Sequence, residues 1–317
     1  MYSNILIIGA SGQIGSELCV RLRAEQKEGE VIASDIREAS DEVMRGGPFE
    51  ILDATDADQL EELVYHYAID EIYLMAAMLS GTAETFPKKA WDLNMNTLFN
   101  VLDLAKEKKI SKVFWPSSIA VFGPNTPKLN TPQHTIMEPT TVYGISKQTG
   151  ERWCEYYHNR YNVDVRSIRY PGLISYQTAP GGGTTDFSID LYEHAVKQKA
   201  YTSFIQADTF LPMLYMNDAI EATIQIMRAS PENLSVHSSY NLGGISLSPQ
   251  IIVKSIQKYS TIKVDYQPDF RQQIADSWPS KIDDTTAQQD WNWQHQYQLD
   301  DITKAMLKGF EAKLKAD

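Results

Sequence analysis

The run Asn4-Ile5-Leu6-Ile7-Ile8-Gly9-Ala10-Ser11-Gly12-Gln13-Ile14-Gly15 decides the fold. Asn4–Ala10 is short and almost unbroken in its apolar character, the pattern of a parallel strand buried on both faces. The chain must then turn, because Gly9, Gly12 and Gly15 stand three residues apart and Leu18, Leu22 and Ala24 follow in a helical pattern. In such a unit the first glycine permits the tight turn, the second lets a pyrophosphate approach the backbone, and the third lets the helix pack close to the strand. A glycine trio alone is common. Here Glu30–Asp35 reads as a second strand ending in an acid twenty residues beyond Gly15, the spacing of a carboxylate that binds ribose hydroxyls. Asp35 repels a 2′-phosphate and so favours NAD over NADP. Arg37 can accommodate such a phosphate, but it reads better as a solvated cation covering the adenine.

Working outward, strand and helix patterns alternate. Phe49–Thr55 reads as a third strand, Ala57–Tyr67 as a helix and Glu71–Ala77 as a fourth strand. Alternation of this kind predicts a parallel sheet covered on both sides. Asp53 closes the third strand, where it either bonds an adenine amino group or caps the next helix. Met78–Pro87 reads as a loop at the carboxyl edge of the sheet, the edge where ligands bind, which makes Ser80 a site candidate. A helix over Lys89–Lys109 leads to Lys112–Ser118, a fifth strand ending in the hydroxyls of Ser117 and Ser118. Val121–Pro139 contains four prolines and is a loop on the same edge. Val163–Arg169 is a sixth strand, closed by Tyr170-Pro171-Gly172.

Between the fifth and sixth strands lies Tyr143-Gly144-Ile145-Ser146-Lys147, at the start of a long helix. Residues four apart share a helix face about 5–6 Å apart at Cβ, so the phenol and the ammonium can serve one reacting atom. Such a pair is often mere amphipathic decoration. The glycine turn and the terminal serines upstream give it a context. A phenol of pKa about 10 is a poor base at neutral pH unless a cation such as Lys147 lowers it, and Ser118 lies where it can bond a substrate hydroxyl and stabilise the developing alkoxide.

Beyond residue 172 no flexible linker intervenes, yet the pattern changes. Pro180-Gly181-Gly182-Gly183-Thr184-Thr185-Asp186 is too rich in glycine for a strand or helix, and reads as a surface loop or as a substrate-binding lip or lid. Leu211–Asn217 suggests a short strand before a helix over Asp218–Arg228, and Ser248–Lys258 suggests another helix. Asp283-Asp284 suits a helix cap, while Trp291 and Trp293 suit a core. The expected organisation is an α/β doubly wound parallel sheet of the Rossmann type over residues 1–172 and a smaller α/β substrate lobe over 173–317, with about 211–230 packing back on the first.

Composition excludes several classes of function. A chain of 317 residues with 43% hydrophobic content can bury a large core. Its net charge of −12 argues against nucleic-acid or anionic-membrane partners, which need clustered Lys and Arg. Cys19 and Cys154 form no metal spacing and read as buried thiols of a reducing compartment, and the six histidines show no ligand spacing, so no metal is expected. A strand begins within a few residues of the N-terminus and no apolar run approaches the length of a membrane span, which together suggest a cytoplasmic protein.

The set Gly9, Gly12, Gly15, Asp35, Ser118, Tyr143, Lys147 and Arg169-Tyr170-Pro171-Gly172 resembles the extended short-chain dehydrogenase/reductase family, across essentially the whole chain. Pro116-Ser117-Ser118-Ile119, the Pro180–Asp186 segment, Leu211-Pro212-Met213 and Asp276-Ser277-Trp278-Pro279 are similar to its epimerase-like L-threonine 3-dehydrogenase members. The resemblance implies NAD-dependent oxidation of the 3-hydroxyl of L-threonine to 2-amino-3-ketobutyrate, with Tyr143 as base assisted by Lys147 and Ser118. It implies cofactor contacts at Gly9, Gly12, Gln13, Ile14, Gly15, Asp35, Arg37, Asp53, Ala54, Leu74, Ala76, Tyr143, Lys147 and Leu173. Substrate contacts are implied at Ser80, Ser117, Ser118, Tyr143, Thr184, Thr185 and Trp278. Members of this fold often pair through their long helices, so a homodimer is expected. A sugar-nucleotide epimerase or dehydratase is the alternative, disfavoured because a diphosphate needs arginines and only Arg228 and Arg271 occur beyond Leu173. A dinucleotide-binding sensor would not need the Ser118/Tyr143/Lys147 set.

Overall fold

The computed structural model describes residues 3–179 and 181–316, so Pro180 of the glycine-rich segment lies outside the described residues. In chain order the strands are β1 Ile5–Ile8, β2 Val31–Asp35, β3 Phe49–Ile51, β4 Glu71–Leu74, β5 Lys112–Ser118 and β6 Asp164–Tyr170. They are followed by β7 Gly172–Ile174, β8 Tyr201–Ser203, β9 Leu211–Tyr215, β10 Tyr240–Asn241, β11 Ile245–Leu247 and β12 Val264–Tyr266. Seven of these form one sheet in the order β3-β2-β1-β4-β5-β6-β10, and every neighbouring pair is parallel. This is the doubly wound α/β arrangement. Parallel neighbours require crossovers, and helices such as Gln13–Glu25, Pro87–Lys106, Val142–Tyr161 and Met216–Arg228 supply them.

The unbroken apolar strands are explained by burial on both faces. Ile5 and Ile7 pack with Leu18, Leu22 and Ile220 on one side, while Leu6 and Ile8 pack with Leu60, Leu98 and Val101 on the other. Alternate residues of one strand therefore feed two cores. The winding reverses between β1 and β4, and that reversal opens a crevice at their carboxyl ends.

A further apolar cluster joins Phe187, Leu191, Leu211, Ile252, Trp278 and Met306 with Ile119–Phe122 from the end of β5. It surrounds the small sheet β7-β9-β11, and β8 pairs with β12 beside it. Helix Met216–Arg228 belongs instead to the core of the large sheet, through Ala219, Ile220 and Ile224, and Trp291 and Trp293 join it there.

Several local expectations differ from the structure. The third strand ends at Ile51 and the fourth at Leu74, the supposed loop Met78–Pro87 contains helix Ser80–Thr85, the helix expected over Lys89–Lys109 runs Pro87–Lys106, and the helix after β9 begins at Met216. Helix Ser80–Thr85 has no side-chain cap, so its tertiary contacts rather than its own sequence set it. Trp91, Trp153, Tyr156 and Tyr161 stay 37–47% exposed along the adjacent helices Pro87–Lys106 and Val142–Tyr161. Among the described residues no helix is long and apolar enough to cross a membrane.

Candidate active site

The first wall of the crevice is the glycine turn. Gly9 has φ +94°, and a β-carbon there would stand 2.5 Å from the Ala76 nitrogen. At Gly15 a β-carbon would stand 2.2 Å from the Gly9 carbonyl oxygen. The turn is therefore pressed on the chain leaving β4, and the helix is pressed on the turn. Gly12 occupies the N-cap of helix Gln13–Glu25, where no side chain caps the backbone and no acid stands in the first turn. Such a terminus attracts an anion. Gln13 adds a buried side-chain nitrogen, Nε2, with no hydrogen-bond partner.

The second wall is the end of β5 with helix Val142–Tyr161. Thr141 caps that helix by accepting from the Gly144 nitrogen at 3.1 Å. Gly144 and Gly150 let it lie close, since β-carbons there would come 2.1 Å from the Ala120 oxygen and 2.4 Å from the Trp115 ring. Lys147 is 3% exposed, donates from Nζ to the Pro116 oxygen at 2.6 Å and sits 4.5 Å from the Trp115 ring centroid. Burial pulls this ammonium down to about 7, against the opposing influence of Cys154 and Glu151. Burial also pushes the Tyr143 phenol up to about 12, partly offset by its hydrogen bond with Ser118. The sequence leads one to expect a phenol lowered by Lys147. Desolvation outweighs the ammonium, whose Nζ lies 5.6 Å from the phenol ring centroid and is hydrogen-bonded to Pro116.

Ser118 accepts from the Ala120 nitrogen at 3.2 Å and meets Tyr143. Ser117 is different: its hydroxyl donates to Glu151 Oε1 at 2.7 Å and is 99% buried as a residue, at 1% exposure. The Ser117 hydroxyl is thus taken up by Glu151, and it is Ser118 that meets Tyr143.

The third wall comes from distant segments. Ser80 and Thr184 are buried, and Trp278 follows helix Phe270–Ser277, where Lys128 Nζ donates to the Ser277 oxygen at 2.6 Å. Asp186 accepts from the backbone nitrogens of Gly182 and Gly183 at 2.9 and 2.6 Å. Burial nevertheless pushes its carboxyl up to about 6. Together the walls line one cleft of about 220 Å³.

Gly9, Gly12, Gln13, Ile14, Gly15, Ser80, Ser117, Ser118, Tyr143, Lys147, Leu173, Thr184, Thr185 and Trp278 all line this cleft. Asp35, Arg37, Asp53, Ala54, Leu74 and Ala76 lie outside it, at or just beyond the carboxyl ends of β2, β3 and β4. Asp35 accepts from the Ser11 nitrogen at 3.0 Å, and the Arg37 carbonyl accepts from the Ser11 hydroxyl. Asp53 is exposed and accepts from the nitrogen and hydroxyl of Thr55, whereas Asp56 caps the following helix. The side chain of Leu74 belongs to the core with Leu6 and Ile8. Sequence reasoning missed Asp186 as a site residue, although it is the only acid lining the cleft among the described residues. Its signal was the acid directly following Thr184 and Thr185.

Residues 5–243 match the family described as NAD dependent epimerase/dehydratase. A curated relative, an uncharacterized epimerase/dehydratase of Staphylococcus saprophyticus, is 48% identical over 99% of this chain and 98% of its own length. Among solved structures, a partial consensus L-threonine 3-dehydrogenase is 51% identical with a TM-score of 0.94, covering 98% of this chain and 99% of that one. The holo form of a GalE-like L-threonine dehydrogenase from Cupriavidus necator is 49% identical with a TM-score of 0.92, covering 96% and 99%.

Proposed function

Because the chain belongs to the NAD dependent epimerase/dehydratase family, we propose that it binds NAD and oxidises the 3-hydroxyl of L-threonine to 2-amino-3-ketobutyrate. The observation that carries this reading is the charge inventory of the cleft. Lys147 and Asp186 are the only charged side chains lining it among the described residues, and Lys147 is already bound to Pro116. A sugar nucleotide would bring two phosphates with no arginine to meet them. Arg228 pairs with Glu25, and Arg271 with Asp269. A small amino acid with a hydroxyl and an ammonium matches what is present.

The walls fit the dinucleotide. The uncapped helix terminus, the glycine turn and the unpartnered Gln13 nitrogen suit its pyrophosphate, with Ile14 and Leu173 alongside. Asp35 suits the adenosine ribose, Arg37 covers the adenine, and Asp53, Ala54 and the backbone at Leu74 and Ala76 complete that side. A nicotinamide held there would supply the acceptor for the hydride that leaves the alcohol carbon. Tyr143 takes the hydroxyl proton, Ser118 bonds the same oxygen, and Lys147 supplies positive charge and holds the nicotinamide ribose. Asp186 receives the substrate ammonium, Ser80, Thr184 and Thr185 offer hydroxyls to the carboxylate, and Trp278 walls the methyl group.

The test is the absorbance of reduced nicotinamide on mixing the protein with NAD and L-threonine, beside NADP, L-serine and UDP-sugars. Turnover with NAD and L-threonine is expected. Tyr143→Phe should lower kcat by roughly 10³-fold while NADH binding stays within about twofold. Turnover of a nucleotide sugar in place of threonine would overturn the substrate, and full activity in the phenylalanine variant would overturn the base.

A further inference from the structure

Three consecutive residues at the end of β5 are each tied to a different turn of one helix. The Pro116 oxygen accepts from Lys147, the Ser117 hydroxyl donates to Glu151, and Ser118 meets Tyr143. The helix residues stand four apart and so form one stripe. Two of the rungs involve the proposed reacting groups. The middle rung ends on Glu151, which does not line the cleft, and it is the most heavily held.

Glu151 is wholly buried, at 0% exposure, and Arg169 is 2% exposed. Arg169 grips both carboxylate oxygens, from Nε at 2.8 Å and from Nη2 at 2.7 Å. Its Nη1 donates to the Gln133 carbonyl at 3.0 Å and to Asn241 Oδ1 at 2.9 Å. Ser117 and Arg169 are register partners on β5 and β6, so the pair bridges from the helix across both strands. A fully bonded ion pair in the interior contributes little to stability over well-packed apolar residues. What it does supply is a fixed geometry.

We propose that Glu151, oriented by Arg169, is a positioning residue that locks the end of β5 to the helix through Ser117, and so keeps Ser118, Tyr143 and Lys147 aligned. The inference rests on the reading of those three as the reacting set. Without the middle rung, β5 is free to shift between its two flanking ties by fractions of an ångström. A shift of that order at reacting atoms is costly, since about 1 Å can reduce a rate by roughly 10²-fold.

The test compares the parent with Ser117→Ala, which removes the rung and leaves the ion pair whole. Glu151→Gln is the harsher second variant, because it strands the Arg169 charge in the interior. For Ser117→Ala, kcat should fall about tenfold with both KM values within about twofold. Amide hydrogen exchange at residues 117–120 should quicken at least about fivefold, with β1–β4 unchanged. Glu151→Gln should show the same local signature with a larger loss of kcat. An unchanged kcat in Ser117→Ala would overturn the proposal, and so would quickened exchange spread through β1–β4, which marks general destabilisation. A parent inert toward L-threonine would refute the functional reading instead, and the exchange measurement, which needs no substrate, would still decide the lacing.

Discussion

Two glycine-rich segments border the cleft, and they use glycine for different reasons. In the turn Gly9–Gly15 the missing side chains make room for backbone, with a β-carbon at Gly15 only 2.2 Å from the Gly9 oxygen. In the segment after β7, Gly182 has φ +87° and no atom within 4 Å of where its β-carbon would lie. One turn is a packed joint. At Gly182 the other needs an unusual dihedral and little else, while β-carbons at Gly181 and Gly183 would meet only side chains, Leu79 at 2.9 Å and Asp186 at 3.1 Å. The difference teaches why the first is recognisable by spacing alone while the second is not: contact with a strand and a helix fixes where each glycine must stand, whereas an open loop does not.

The contrast breaks most directly at Gly15. An added methyl in Gly15→Ala must push the helix off the turn, so NADH affinity should fall by about 100-fold or more, roughly 2.7 kcal/mol. Fluorescence titration with NADH would measure it. Near-parental affinity would mean that the turn yields more easily than its contacts indicate.

A second test separates the walls by chemistry. Asp186→Asn keeps an acceptor for the Gly182 and Gly183 nitrogens but removes the charge. The KM for L-threonine should rise by roughly 10–100-fold, the worth of a charged hydrogen bond, with NADH affinity unchanged. Stability gives an independent sign. Burial raises the folded carboxyl to about 6, above its value of 3.8 in the unfolded chain, so the folded state holds a proton that the unfolded state has released between those values. Stability from this group therefore falls as pH rises from 3.8 to about 6 and stays low above. Asp186→Asn should melt higher than the parent at pH 7.5, and the advantage should vanish near pH 3.5. A lower melting temperature at pH 7.5 would show that the carboxylate is better solvated than its burial implies.

The two walls also differ in how far the sequence reveals them. Strand, turn, helix and Asp35 follow one another within about thirty residues, and each is constrained by its neighbour in the chain. The substrate wall is assembled from Ser80, Thr184, Asp186 and Trp278, whose meeting depends on ties such as Lys128 to Ser277 across about 150 positions. Ser117 and Ser118 show a finer ambiguity. Sequence puts both at the end of β5, but which hydroxyl is left to meet Tyr143 depends on a register shared with β6 and on Glu151, a partner 34 residues from Ser117. Asp53 and Asp56 present a similar choice, settled only when the third strand ends at Ile51 and the helix at Ala57 takes Asp56 as its cap. The Glu151–Arg169 pair left little signal in the chain: β6 carries two arginines, Arg166 and Arg169, and nothing local names the partner of the second.

The smallest effect is expected at Gly182. Replacing it by alanine meets no clash, so only the dihedral matters, and holding an alanine in that region costs about 1–2 kcal/mol. Relaxation of an exposed segment should absorb part of that cost. The KM for L-threonine in Gly182→Ala should then rise by less than about tenfold, with kcat and NADH affinity near parental values. The Gly182 nitrogen is also one of the two donors to Asp186, so a strained turn acts on the substrate through that carboxylate and not through the dinucleotide. Combining Gly182→Ala with Asp186→Asn makes this measurable. If the glycine serves only to present its N–H to the charge, its effect should disappear once the charge is gone; effects that simply multiply would show instead that the loop shapes the cleft independently of Asp186.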